Sequence, residues 1–145
     1  MSARVDTMRF FDALAEEMNA HPERFELLGA ADMAVEVVMT RPDGDFRVRL
    51  AFEGLGCSGV TEVEGDGVPD SEFRLVGRLA AWQAMFEDIA TNGRATGLYT
   101  INSLALLGNE IGCVGDDPMG LDKFSRFNQT LQEFFDGARQ VPVDA

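Results

Sequence analysis

Histidine and cysteine are almost missing from this chain. The one histidine, His21, stands before Pro22 at the end of a helix-like stretch, and the two cysteines, Cys57 and Cys113, lie far apart in sequence. Zinc sites and dithiol redox motifs need such residues at short spacings, so neither is expected. A Ser-His-Asp or Cys-His arrangement would have to use His21, and no spacing ties it to a nucleophile. Positive charge is scarce as well: 12 basic against 25 acidic residues give a net charge of −13. A surface of that sign repels phosphate backbones and anionic membranes, which argues against a nucleic-acid partner. No apolar run approaches a membrane-spanning length and the N-terminus has no charged-then-apolar leader pattern. No stable membrane insertion is expected, and a cytoplasmic setting with free thiols is the default.

Apolar bulk is what the chain does have. Hydrophobic residues make up 46% of its 145 positions, with eleven Phe against one Trp and one Tyr. The length predicts one domain over 1–145. Phenylalanine brings volume without a polar handle, which suits plain core packing and the wall of an apolar cavity alike.

The elements read in order. Thr7 to Asn19 places Met8, Phe11, Leu14, Ala15 and Met18 on one helical face, and Glu23 to Leu28 adds a short helical turn. Met33–Thr40 and Phe46–Glu53 read as strands joined by the turn residues Arg41 to Asp45; in the second, Phe46, Val48, Leu50 and Phe52 alternate with more polar neighbours. A third strand is expected at Val60 to Glu64 and a fourth at Phe73 to Gly77, leading into a helix with Leu79, Trp82, Met85, Phe86 and Ile89 on one side. A fifth strand is placed around Ser103 to Leu107, with a further short one at Ile111 to Val114. Asp117-Pro118 is a helix start, acidic N-cap followed by proline. The helix runs to Asp136 with Gly137 as its cap, and residues 138–145 form a loose tail. In it Leu121, Phe124, Phe127, Leu131, Phe134 and Phe135 share one face, interrupted by Asn128, while Asp136 falls on the polar side. The fold class is α+β: a mostly antiparallel five-stranded sheet with helices covering one face.

Chemistry-bearing motifs are thin. Gly54-Leu-Gly56 precedes no helix and reads as a turn, and Gly65 to Asp70 lacks calcium-loop spacing. Glu110, Asp116, Asp117 and Asp122 are a candidate hard-metal cluster, but helix capping accounts for Asp117 and dipole preference for the rest. No metal and no cofactor are expected, and no catalytic residue stands out.

From Phe73-Arg-Leu-Val-Gly77 through the Trp82 helix, the segments Leu104–Gly108 and Ile111–Gly115 and the terminal amphipathic helix, the chain resembles the sterol carrier protein-2 (sterol transfer, non-specific lipid carrier) family. The earlier half, a helix followed by strands with Phe46-x-Val-x-Leu-x-Phe52, fits the same pattern. The resemblance implies a five-stranded sheet and helices enclosing an apolar tunnel for fatty acyl, sterol-like or isoprenoid ligands, without catalysis. On this reading Leu79, Trp82, Phe86, Phe124, Phe127 and Leu131 line the tunnel and Asn128 supplies a polar contact. Two alternatives stand beside the carrier: a small cone-like isomerase or cyclase acting on an apolar substrate, marked by a buried Asp or His with displaced titration inside a pocket, and an interaction subunit using the apolar face of helix 118–136, with a homodimer among its forms.

Overall fold

The computed structural model describes residues 4–63, 71–106, 110–115 and 118–141. Helix α1 (Met8–Ala20) starts at Thr7, whose Oγ1 accepts from Phe10 N, and buries Phe10, Phe11, Leu14, Ala15 and Met18. A 3-10 turn over Pro22–Phe25 follows. Strands β1 (Met33–Thr40) and β2 (Phe46–Glu53) form the expected antiparallel hairpin, with Val37 opposite Val48.

Strand β3 (Gly56–Glu62) begins four residues before the expected Val60. Gly56-Cys-Ser-Gly59 has little intrinsic strand preference, but α1 compensates. Asn19 Oδ1 accepts from Cys57 N at 2.9 Å and its Nδ2 donates to Cys57 O at 3.0 Å, satisfying both backbone groups on this edge strand. Gly56 lies directly beneath that amide: a Cβ there would come within 2.6 Å of Asn19 Oδ1.

Strand β4 (Phe73–Arg78) pairs parallel to β1, and β5 (Ile111–Val114) pairs antiparallel to β4, giving the order β3-β2-β1-β4-β5. Three of the four pairings are antiparallel, as the sequence predicts. The fifth strand is therefore the short one at Ile111, and the strand expected at Ser103 to Leu107 is not formed over its described part. Ile101–Leu106 is instead helix α3. Thr100 Oγ1 accepts from Ser103 N and Thr100 O from Leu104 N, a serviceable N-cap, while Ile101 and Leu104 bury one helical face. Short apolar runs carry too little periodicity to separate the two states.

Helix α2 (Leu79–Asn92) runs straight on from β4 and stops at Gly93, which takes the left-handed conformation at φ 80°. Helix α4 (Pro118–Asp136) packs Phe124, Leu131, Phe134 and Phe135 inward. Gly137 is not a left-handed cap. It opens a further 3-10 turn, Gly137–Gln140, with Ala138 buried, so the loose tail does not start at 138. The expected cap Asp117, its neighbour Asp116 and the loop Gly65 to Asp70 lie outside the described residues.

Phe46, Val48, Leu50 and Phe52 of β2, with Phe73 and Leu75 of β4, turn to the helix side and are buried. The other face carries charge. Glu36, fully buried, accepts from Arg47 Nε at 2.7 Å and Nη2 at 3.2 Å, and its register neighbours are Arg49 and Arg74.

Candidate functional site

The aromatic residues meet between the helices and the sheet. Trp82 stacks on Phe86 with centroids 6.4 Å apart and meets Phe135 edge-on at 5.7 Å, and Phe86 touches Phe10 edge-on at 4.8 Å. Trp82 Nε1 donates to Val38 O at 3.2 Å, so its one polar atom is satisfied without a ligand. Four methionines, Met18, Met33, Met39 and Met85, are buried in the same hydrophobic core. Unbranched thioethers adapt to irregular spaces, which makes this interior more deformable than one of branched aliphatics.

Of the seven residues expected at a binding site, Trp82, Phe86 and Leu131 join this layer, fully buried. Phe124 lies against Phe73 at 5.7 Å, nearer the start of α4. Phe127 is half-buried, with the Arg126 guanidinium over its ring at 5.4 Å. Leu79 is partly buried, packed against the edge of the core and bordering a surface groove. Asn128 is half-exposed, and its Nδ2 donates to Ser125 O at 2.8 Å within its own helix. The backbone satisfies it and it makes no inward polar contact.

That surface groove, about 730 Å³, lies where β1 and β4 end and α1 and α2 begin, lined by Asp6, Thr7, Thr40, Arg41, Arg78 and Leu79 among others. Its cations are paired: Asp6 Oδ2 accepts from Arg4 and Arg41, and Arg78 bonds Glu110. A second opening, about 710 Å³, is bordered by Arg49, Glu72, Arg74, Asp122, Lys123 and Arg126, and a third, about 430 Å³, by Asn19, Gly56 and Cys57. Leu79 alone of the seven lines any of these three.

Neither the histidine nor the thiols are set up for proton chemistry, and the one buried carboxylate with a raised pKa among the described residues, Asp136, lines none of the three openings. His21 lies at the surface between Glu17 and Glu23. Burial pushes the Cys57 thiol up and raises Cys113 to about 11, so neither is an activated thiolate. Among the described residues no three His, Cys, Asp or Glu side chains converge on a metal position, and no helix is long and apolar enough to cross a membrane.

Asp136, placed on the polar face by the helical projection, is 7% exposed. Its Oδ1 accepts from Ala95 N at 3.1 Å and Gln132 Nε2 at 2.9 Å. Burial raises its pKa, against the lowering effect of these hydrogen bonds. The folded chain thus holds this proton more tightly than the unfolded one. The resulting stabilisation is complete below the ordinary value of 3.8 and is lost as pH rises through the raised value. Asp136→Asn keeps the accepting oxygen and removes the charge. The variant is expected to match the wild type in acid and to melt higher at neutral pH, checked by thermal melts across that range; a variant that melts lower at neutral pH would show that the charge itself holds the contact.

The apolar face of α4 is spent on its own chain: Phe124, Leu131, Phe134 and Phe135 are each at most 5% exposed. Of the face that the interaction-subunit expectation needs for another chain, only the partly buried Leu121 and Phe127 remain.

No protein-family model matches the chain, and no curated protein is similar to it in sequence. Solved structures are similar in fold. A crystal structure of sterol carrier protein 2 superposes with a TM-score of 0.71 at 20% identity, covering 95% of this chain and 99% of that one. The solution structure of a conserved hypothetical protein of Thermus thermophilus, described as a candidate sterol carrier protein, gives 0.72 at 19% identity, covering 99% of this chain and 94% of that one. Helix, strands, Trp82 helix, edge strand and terminal helix thus all lie within the matched length, and the chain has the fold of sterol carrier protein 2.

Proposed function

We propose that this protein binds and carries an apolar small molecule, of fatty acyl, sterol-like or isoprenoid type, between its sheet and its helices. One observation carries the reading: on a fold shared with sterol carrier protein 2, the rings of Trp82 and Phe86 on α2 meet Phe135 on α4 within one apolar core that also holds four methionines. Trp82, Phe86 and Leu131 form the wall, with Phe124 and Phe127 towards the start of α4 and Leu79 at the far rim. Asn128 has no part in it. A ligand takes its place by displacing the thioethers, which re-pack at low cost.

Burying ten methylenes at about 0.8 kcal/mol each gives about 8 kcal/mol gross, enough for micromolar binding after association costs. The test uses the single tryptophan. Because Trp82 stands inside the proposed site, cis-parinaric acid, a fluorescent fatty acid, must quench it by energy transfer with a saturable, roughly micromolar midpoint. Absence of saturable quenching overturns the proposal, and so does a saturated fatty acid that displaces the probe yet leaves the Trp82 emission maximum unshifted, since that places the ligand outside the aromatic layer.

A further inference from the structure

The carrier reading leaves an access problem, since the wall residues Trp82, Phe86 and Leu131 are sealed. One element is attached differently from the rest. The segment 93–106 joins α2 to the end of α3, lying against α2 at Gly97–Tyr99 and against α4 and β5 at α3. It closes the gap between these three elements. Its inward side chains are few and none is aromatic: Ala95, Ile101 and Leu104 are buried, with Ala105 partly so. Among the described residues no ring-to-ring contact joins it to the core, whereas α1, α2 and α4 are all tied in by such contacts.

Polar bonds hold the segment instead, and they come from the two helices it bridges. Asp88 of α2 accepts from Thr96 N at 2.6 Å. Gln132 of α4 accepts from Ile101 N at 2.6 Å through Oε1, and its Nε2 bonds Asp136, which accepts from Ala95 N. The bonds at Ala95, Thr96 and Ile101 end on backbone N–H groups of the segment, and Thr96 adds its hydroxyl, which donates to the same Asp88 carboxylate at 3.1 Å. Two glycines in left-handed conformation, Gly93 at φ 80° and Gly97 at φ 56°, bracket the first turn, a placement suited to a pivot.

We propose that segment 93–106 is a strap that opens to admit the apolar ligand between α3 and α4, with Gln132 as its central latch. The proposal rests on the carrier reading and adds where the ligand enters and what holds the entrance shut. Opening exchanges a few buried aliphatic contacts, the bonds to the N–H groups of Ala95, Thr96 and Ile101, the Thr96 hydroxyl bond to Asp88 and the bond from Glu110 N to Leu104 O for solvent, while the β1–β4 ladders and the aromatic layer stay intact. Leu98 and Tyr99, 68% and 45% exposed, ride on the outside of the strap.

Gln132→Ala removes the acceptor for Ile101 N and the donor to Asp136 together. The open population is expected to rise about tenfold. In stopped-flow mixing with cis-parinaric acid, association and dissociation rates should rise together by about that factor while the dissociation constant stays within about twofold. Unchanged rates in a variant that binds the probe overturn the strap but leave the carrier reading standing. A failure of the wild type to bind the probe overturns both. A measurement without a variant covers the case in which Gln132→Ala does not fold: in the unmodified protein the amides of Ala95 and Ile101 must exchange with deuterium far faster than those of Val37 in β1. Exchange of all three at one common slow rate means that the segment opens only with global unfolding, and the strap is excluded.

Discussion

Trp82→Ala is expected to cost about 3–5 kcal/mol of folding stability, the range for removing a fully enclosed large aromatic. Three losses add. The indole has no exposure, so its whole transfer free energy is forfeited. The cavity opens between Phe86 and Phe135, rings that contact the indole from two sides and that Phe10 and Phe134 hold in turn, so it closes poorly. The bond from Nε1 to Val38 O disappears as well. Trp82→Phe keeps most of the volume and should cost about 1–2 kcal/mol. Urea unfolding followed by circular dichroism reads both, because neither variant retains a tryptophan. A loss below about 1 kcal/mol for the alanine variant would mean that the layer collapses freely around position 82.

Arg47→Leu should be nearly as damaging, for an electrostatic reason. Glu36 sits mid-sheet without solvent, and Arg47 gives it two hydrogen bonds. Removing one partner of such a pair strands a buried carboxylate, typically at about 3–5 kcal/mol. Arg49 and Arg74 flank Glu36 in register and soften the loss, so about 3 kcal/mol is expected at neutral pH. The double variant Glu36→Leu/Arg47→Leu removes both charges and should recover most of the deficit, to within about 1 kcal/mol of the wild type. A double variant no better than Arg47→Leu would show that the cost lies in lost arginine packing and not in the orphaned charge. Both variants leave the helix-side layer untouched and so serve as controls for ligand binding.

Strong periodicity made most of the fold legible. The alternation from Phe46 to Phe52 and the apolar stripes of α1, α2 and α4 led to the elements observed. What escaped was set by distant partners. Asn19 stabilises the start of β3 from 38 residues away, and nothing within Gly56–Gly59 announces it. Thr100 turns an apolar run into α3 by capping it, a signal that was present but is easily read as part of a strand. At the site, an apolar helical face shows which residues go inside, not which of them border a ligand. Leu79 and Phe127 lie on such faces yet sit towards the edges, and Asn128 answers to its own helix. Gln132 and Asp136, one helical turn apart, were the missed pair. Their role depends on the 93–101 segment folding back over α4, which no local pattern in α4 encodes.

The carrier account meets its most direct test in native mass spectrometry of the freshly purified protein, paired with organic extraction of whatever accompanies it. The account predicts a mass increment matching a single fatty acyl, sterol-like or isoprenoid molecule, recovered in the extract and lost from the protein after extraction. A preparation that is free of ligand, and that stays free after incubation with fatty acids, sterols and isoprenoids at concentrations well above micromolar, would contradict it.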